Sequence, residues 1–96
     1  MEFSILATIE GEEVYGYQIL QRLARFEVLA ITESTAYPIL SRLTKENYLE
    51  VRTAESPYGP SRRYYKLTPY GRQRLTEMKT YWSQFTDSMN QLLKKV

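Results

Sequence analysis

Hydroxyl and cationic side chains recur at helical spacing between residues 34 and 45. Positions 38, 41, 42 and 45 follow the i, i+3, i+4, i+7 spacing that places side chains on one exposed stripe of a helix. Hydroxyls at the start of such a stripe and two cations at its end are suited to hydrogen bonds with phosphates and base edges. An ordinary solvated helix face has the same composition, so that interpretation stays open. The candidate contact residues are Ser34, Thr35, Tyr37, Pro38, Ser41, Arg42 and Lys45.

A second basic group borders a turn-rich loop, residues 57–61, between two predicted strands. Strand alternation sends the adjacent Arg62 and Arg63 to opposite faces. We therefore expect one of the two arginines, together with Tyr58 of the loop, to contact a DNA phosphate or the minor groove. The alternative is a hairpin whose basic edge discourages aggregation.

The residue types that are missing restrict the chemistry. The chain has no histidine and no cysteine. The commonest general base, the commonest metal ligand and any thiolate nucleophile or disulfide are therefore absent. No close carboxylate pair in a recognisable motif replaces them. We expect a binding protein rather than an enzyme, with no metal and no cofactor.

Charge is distributed unevenly along the 96 residues, whose net charge is +2. Residues 1–40 carry a net charge of −4, residues 41–74 carry +5, and residues 75–96 carry +1. A basic middle segment between acidic and nearly neutral ends is expected if one face meets phosphates. Salt-bridged surface charge would give the same pattern, and charge alone does not separate the two.

These residues need a scaffold, and hydrophobic periodicity predicts its elements. Residues 1–9 form a first helix, and apolar residues from Ile19 to Phe26 mark a second. A third helix has Thr32 as its N-cap and ends at Asn47, with Ala36, Ile39, Leu40 and Leu43 facing inward. Because proline inside a helix costs about 3 kcal/mol, Pro38 must lie in the first turn or be tolerated for a reason.

Two alternating segments follow, Leu49–Thr53 and Arg62–Leu67, and predict a hairpin with Tyr65 and Leu67 in the core. Thr68-Pro69 is a strong helix-start signal. The order is helix, helix, helix, strand, strand, helix. It predicts a mainly α protein with a small β-hairpin (α+β), a winged helix-turn-helix domain over residues 1–68 and a long C-terminal helix over residues 69–96.

The last helix carries an uninterrupted heptad seam. Its apolar residues step by three and four along the chain: Leu75, Met78, Trp82, Phe85, Met89, Leu92 and Val96. A domain this small cannot cover such a seam alone, so we expect the helix to pair with a second copy in a two-fold dimer. Two recognition helices could then contact half-sites about one helical turn apart.

Three separated motifs resemble those of one family, the PadR-like transcriptional regulators. Residues 34–43, STAYPILSRL, resemble that family's G-T-L-Y-P-x-L-x-R-L, and residues 15–19, YGYQI, resemble its H/Y-G-Y-E-I. Residues 62–71, RRYYKLTPYG, resemble its R-R/K-Y-Y-x-L-T-x-x-G. Ser34 and Ala36 replace the usual glycine and leucine, and Asn47 stands where glycine is common. The resemblance implies a winged-helix regulator and favours DNA contacts by the arginine pair.

The same resemblance implies a sensor of planar aromatic compounds near the dimer interface. Trp82 would offer a stacking face there, with Phe85, Met78 and Met89 beside it. Simple packing of these side chains in the interface is the alternative. We expect a homodimeric repressor bound to a double-stranded, pseudo-palindromic operator, which the effector releases by favouring a dimer with wrongly spaced recognition helices.

Two other functions remain open: a DNA-binding regulator or architectural protein without a ligand, and a winged-helix module for protein contacts. No apolar run reaches the roughly 18 residues that span a bilayer, and no secretory signal is evident. We therefore expect a cytoplasmic, bacterial protein with no membrane partner, associated with the nucleoid when it is bound to DNA.

Overall fold

All the predicted elements are present in the computed structural model of the chain, which describes residues 1–56 and 59–94. The elements in chain order are α1 (Glu2–Ile9), β1 (Val14–Tyr15), α2 (Gly16–Leu23), a 3-10 turn (Glu27–Leu29), α3 (Glu33–Lys45), β2 (Leu49–Ser56), β3 (Gly59–Leu67) and α4 (Pro69–Lys94). The order agrees with the predicted α+β winged helix-turn-helix fold and its long C-terminal helix. The division into segments 1–68 and 69–96 stays a prediction.

The sheet has one strand more than the predicted hairpin. Its strand order is β1-β3-β2, and both pairs are antiparallel. In β1, Val14 lies opposite Tyr65 and Tyr15 lies opposite Tyr64. Two residues are too few to show the alternation that identifies a strand, so no local pattern predicts β1. It ties the start of α2 to the hairpin.

The ends of α3 follow the predicted signals. Thr32 occupies the predicted N-cap position in an extended conformation, φ −86° and ψ 165°, but its hydroxyl makes no capping hydrogen bond to the backbone. Asn47 follows it in the left-handed region, φ 67°. The amide of Tyr48 donates to the carbonyl of Leu43 and that of Asn47 to the carbonyl of Thr44, which is the Schellman arrangement of a helix C-terminus. The sequence thus fixes where α3 ends and where the chain turns into β2.

Thr68 caps α4 as predicted and also joins it to the end of α3. The Gly71 amide donates to the Thr68 hydroxyl at 2.8 Å, and that hydroxyl donates to the carbonyl of Asn47 at 2.6 Å. The Thr68 amide donates to the carbonyl of Tyr48 at 3.1 Å. The start of α4 is therefore fixed against the turn that follows α3.

The core lies between the three N-terminal helices, the sheet and the first two turns of α4. Its buried residues include Ile5, Leu6 and Ile9 of α1, Ile19 and Leu23 of α2, Leu40 and Leu43 of α3, Leu49 of β2, Tyr65 and Leu67 of β3, and Leu75 of α4. The buried residues of α3 pack in this core, so one face of the helix points inward and the other points to solvent. Across residues 1–56 and 59–94, every helix is too short or too polar to span a bilayer.

Candidate nucleic-acid interface

The exposed face of α3 contains the candidate contact residues of that helix. Ala36, Leu40 and Leu43 are buried and Ile39 is partly buried, as predicted, and they define the opposite face. The exposed residues are Ser34, Thr35, Tyr37, Pro38, Ser41, Arg42 and Lys45. The α3 face, as we call this set, offers hydroxyls at its N-terminal half and cations at its C-terminal half.

Hydroxyl groups cluster at the start of α3. The Thr32 hydroxyl lies 3.0 Å from that of Ser34 and donates to that of Thr35 at 3.2 Å. Pro38 is the sixth residue of the helix, beyond the first turn, and α3 continues through it. Proline has no N–H to give to the carbonyl four residues earlier, here that of Ser34. Ser34 is exposed, so water can satisfy this carbonyl and the proline is tolerated.

Arg42 is held by carboxylates within its own chain. Its Nη1 donates to Glu46 Oε1 at 3.0 Å, and its Nη2 lies 3.7 Å from Glu2 Oε2. The hydrogen bond to Glu46 raises the pKa of the Arg42 guanidinium above its usual value. Arg42 thus lies at the edge of the α3 face toward α1, and a phosphate would have to compete with two carboxylates for it.

A groove of about 520 Å³ separates α3 from the hairpin. Its walls include Tyr15, Gly16, Tyr17, Tyr37, Arg62 and Arg63. A Cβ atom on Gly16 would lie 3.2 Å from Cε1 and 3.4 Å from the hydroxyl of Tyr37. Glycine at the start of α2 therefore lets the Tyr37 ring lie directly against the helix terminus. We call this groove, with its two arginines and three tyrosines, the wing groove.

The surroundings of the Tyr37 phenol favour its neutral form. Partial burial of the ring, and then the nearby carboxylate of Glu33, raise the pKa of Tyr37 above its ordinary value, while the charge of Arg63 opposes them. Its hydroxyl is protonated at neutral pH and can donate a hydrogen bond to an anion. The wing groove thus combines a neutral donor with two cations, a set that suits a phosphate backbone.

The two arginines of the hairpin are adjacent residues of β3. Tyr65 is buried, so Arg63, two residues earlier, lies on the same side of β3, and Arg62 lies on the other. Both side chains nonetheless border the wing groove. The guanidinium of Arg62 lies 4.7 Å from the centre of the Tyr15 ring. Tyr58, a predicted contact, lies outside the described residues.

The predicted seam of α4 divides into two parts. Leu75 is only 1% exposed because it packs in the protomer's own core, so it has almost no surface to offer a partner, and its placement in the dimer seam is corrected. Met78 is partly buried against the same core. Farther along, Trp82, Phe85 and Leu92 are 53%, 43% and 57% exposed, and Met89 is partly exposed. Val96 lies outside the described residues.

An apolar groove of about 500 Å³ lies where this exposed part of the seam begins. Its walls are Phe3, Arg74, Glu77, Met78, Tyr81 and Trp82. The rings of Phe3 and Trp82 are 6.3 Å apart and tilted, and that of Phe85 is stacked 6.1 Å from Trp82. Two of the four predicted effector residues, Met78 and Trp82, line this Trp82 groove. Phe85 and Met89 lie farther along α4 and do not line it.

Comparison with known proteins places the chain in a family. Residues 5–77 match the family described as Transcriptional regulator PadR-like family. The chain belongs to the PadR-like family. The match spans most of α1, then α2, α3, the hairpin and the first turns of α4, so it covers the whole α3 face and the wing groove.

Individual proteins are similar to this chain, two of them in solved structure and one in sequence. A PadR-like transcriptional regulator from Bacillus cereus strain ATCC 14579 is 36% identical, with a TM-score of 0.86 over 99% of this chain and 92% of that chain. PadR from Bacillus subtilis, solved in complex with operator DNA, is 28% identical, with a TM-score of 0.72 over 80% of this chain and 45% of that chain. An uncharacterized protein from Lysinibacillus sphaericus is 30% identical over 83% of this chain and 75% of its own length.

Three groove residues of this PadR-like chain were not among the predicted contacts. Tyr15, Gly16 and Tyr17 form one wall of the wing groove. The available signal was a glycine between two tyrosines at a helix start. Glycine at such a place indicates close approach of another group, which here is the ring of Tyr37.

Proposed function

We propose that this PadR-like regulator binds double-stranded DNA, with the α3 face in the major groove and the wing groove over the adjacent backbone. The observation that carries the proposal is the continuity of these two surfaces. Tyr37 belongs to both, and it joins the hydroxyls of α3 to the two arginines of the hairpin. The operator complex of Bacillus subtilis PadR supports it by analogy.

Pairing of α4 completes the proposal. The exposed side chains Trp82, Phe85, Met89 and Leu92 step by three, four and three residues, which is the spacing of a helix that packs against another helix. An apolar stripe of this kind indicates an interface. A second copy is the partner that the seam favours, because two-fold pairing would present two α3 faces to successive half-sites. Occupying the operator would repress transcription.

The direct test of DNA binding is Arg63→Ala, measured by gel shift at several salt concentrations on duplexes that the protein enriches from a random pool. A hydrogen bond to a charged group is worth about 1.5–3 kcal/mol, so we expect affinity to fall at least about tenfold. The slope of log affinity against log salt should drop by about one unit per lost phosphate contact, or about two for a dimer. Sequence preference should not change.

Arg25→Ala is the matched control. Arg25 is an exposed cation beyond the C-terminal end of α2, whereas the wing groove lies at the N-terminal end of that helix. This control should keep both affinity and slope. Equal loss in both variants would mean that the contact is non-specific. The absence of salt-dependent DNA binding in the wild type would favour the alternative of a module for protein contacts.

We further propose that a planar aromatic effector binds the Trp82 groove and releases the DNA. The groove combines aromatic faces from α1 and α4 with the polar groups of Arg74 and Glu77, and it lies at the start of the proposed dimer seam. A ligand there could change how two α4 helices pair. It can shift the equilibrium only by its differential affinity for the two dimer geometries, typically about 1–3 kcal/mol.

Fluorescence tests the effector, since Trp82 is the only tryptophan. Stacking of a flat aromatic ligand should quench its emission, and the same ligand should weaken DNA binding. Phe3→Ala, which removes the opposite wall of the groove, should weaken both effects, while Phe85→Ala, outside the groove, should keep the quenching. Unchanged emission across a panel of flat aromatic compounds at high micromolar concentration would favour a regulator without a ligand.

A further inference from the structure

A row of aromatic and cationic side chains crosses the face of the sheet that points away from the core. Val14 and Tyr65 are buried, so their neighbours Tyr15 and Tyr64 lie on the opposite face. Tyr15 pairs with Tyr64 across β1 and β3, and Arg52 pairs with Tyr64 across β2 and β3. Arg62 lies two residues before Tyr64 and therefore on the same face. We call these four residues the outer row.

Each member of the outer row contacts the next. The Arg52 guanidinium lies 4.7 Å from the centre of the Tyr64 ring. The Tyr64 and Tyr15 rings are 5.9 Å apart at 46°, and the Arg62 guanidinium lies 4.7 Å from the centre of the Tyr15 ring. These are the distances of cation–π and tilted aromatic contacts. The row begins in β2 and ends with Arg62 at the rim of the wing groove.

The two arginines of the row differ in what their N–H groups do. Arg52 donates from Nε and Nη2 to both carboxylate oxygens of Glu13, at 2.8 and 2.6 Å. This bidentate pair anchors the row at one end and occupies the Nε–Nη2 edge of the Arg52 guanidinium. Within residues 1–56 and 59–94, Arg62 forms no salt bridge. Its face is stacked, and no acceptor among the described residues engages the N–H groups in its plane, which are the groups that make a bidentate contact to phosphate.

We propose that Tyr15 is a positioning residue that holds Arg62 in the orientation in which it binds a DNA phosphate. This inference rests on the proposed DNA-binding function and adds to it. A free arginine side chain loses considerable rotamer entropy when a phosphate fixes it. Stacking on Tyr15 restricts the side chain before binding and so lowers that loss. An aromatic ring restricts the side chain by contacting the face of the guanidinium, so it leaves the N–H groups available. A carboxylate would accept hydrogen bonds from these groups, as Glu13 does from Nε and Nη2 of Arg52.

The test is a double-mutant cycle of Tyr15→Leu and Arg62→Ala, followed by gel shift over a salt series, with Tyr15→Phe as the conservative variant. We expect Tyr15→Leu to weaken DNA binding about fivefold or more. Its salt slope should stay at the wild-type value, because Arg62 is still present to bind phosphate. Arg62→Ala should lower both affinity and slope. In the Arg62→Ala background Tyr15→Leu should have no further effect, and Tyr15→Phe should bind like the wild type.

Arg62→Lys gives a second measurement that leaves the sheet unchanged, since lysine keeps the charge but not the stacking plane. It should lower affinity and keep the slope. The inference would be overturned if Tyr15→Leu lowered DNA affinity equally in the presence and in the absence of Arg62. It would also be overturned if Tyr15→Phe bound DNA as weakly as Tyr15→Leu. The inference would also be overturned if Arg62→Ala bound DNA with the wild-type affinity while Arg63→Ala bound it weakly. In that case the proposed function would stand. Failure of every variant, Arg63→Ala included, to change DNA binding would overturn both.

Discussion

Gly71 lies so close to the backbone of Tyr48 that a Cβ atom at position 71 would overlap the Tyr48 carbonyl oxygen. Gly71 is in the first turn of α4, and Tyr48 is in the turn that follows α3. The same place holds the hydrogen bonds of Thr68 to Asn47 and Tyr48. The helix proposed for dimerisation and the helix proposed for DNA contact are thus joined directly, backbone to backbone.

Replacing Gly71 should therefore destabilise the contact between the start of α4 and the turn that follows α3. Alanine is a better helix former than glycine by about 1 kcal/mol, but the overlap is with backbone that cannot rotate away. We expect Gly71→Ala to destabilise the protein by about 3 kcal/mol, the upper part of the range for overpacking. That corresponds to a fall in Tm of more than about 10 °C, measured by circular dichroism at one fixed protein concentration. Gly59→Ala, where a Cβ would meet nothing within 4 Å, should melt near the wild type.

Gly16→Ala should separate stability from DNA binding. The added Cβ would lie 3.2 Å from Cε1 of Tyr37, whose ring is at the surface and can turn aside. We expect the Tm to change by only a few degrees, while DNA affinity falls several-fold because Tyr37 leaves the wing groove. In a Tyr37→Ala background, Gly16→Ala should have no further effect on affinity. An equal loss in that background would show that the substitution acts through α2 and not through Tyr37.

Removing the carboxylates around Arg42 should tighten DNA binding. Glu46 and Glu2 both hold the guanidinium, so a phosphate must displace them. We expect Glu46→Gln to raise affinity about 1.4- to fivefold, consistent with exposed ion pairs worth about 0.2–1 kcal/mol. Arg42→Ala should weaken binding less than Arg63→Ala does. Gel shifts on the same duplexes measure both affinities. If Glu46→Gln still raised DNA affinity in an Arg42→Ala background, the increase would be due to the overall charge and not to release of Arg42.

Local signals predicted the fold because they act over a few residues. Thr32 and Asn47 bound α3, Thr68-Pro69 begins α4, and the alternation of β3 buries Tyr65 and Leu67, all as expected. The exposed α3 face followed from helical periodicity alone. These features depend on backbone preferences and on spacing, and both can be recognised without knowing how the elements pack.

Contacts between distant residues were not predictable in the same way. Glu2 meets Arg42 across α1 and α3, and Glu13 meets Arg52 across 39 positions of chain. Val14 and Tyr15 form strand β1 because the fold places them beside β3, with which they pair. Leu75 is part of the core because the first turns of α4 pack against the other helices and the sheet. Such contacts depend on the angles at which elements pack, which no local pattern encodes.

The central claim is that α4 joins two copies of the chain so that two α3 faces meet one duplex. Sedimentation equilibrium of the protein with a selected duplex tests it most directly, alongside Phe85→Lys, which places a charge in the exposed seam. We expect two chains per duplex for the wild type, and single chains with much weaker DNA binding for the variant. A wild type that sediments as one chain per duplex, with an affinity that Phe85→Lys leaves unchanged, would contradict the claim.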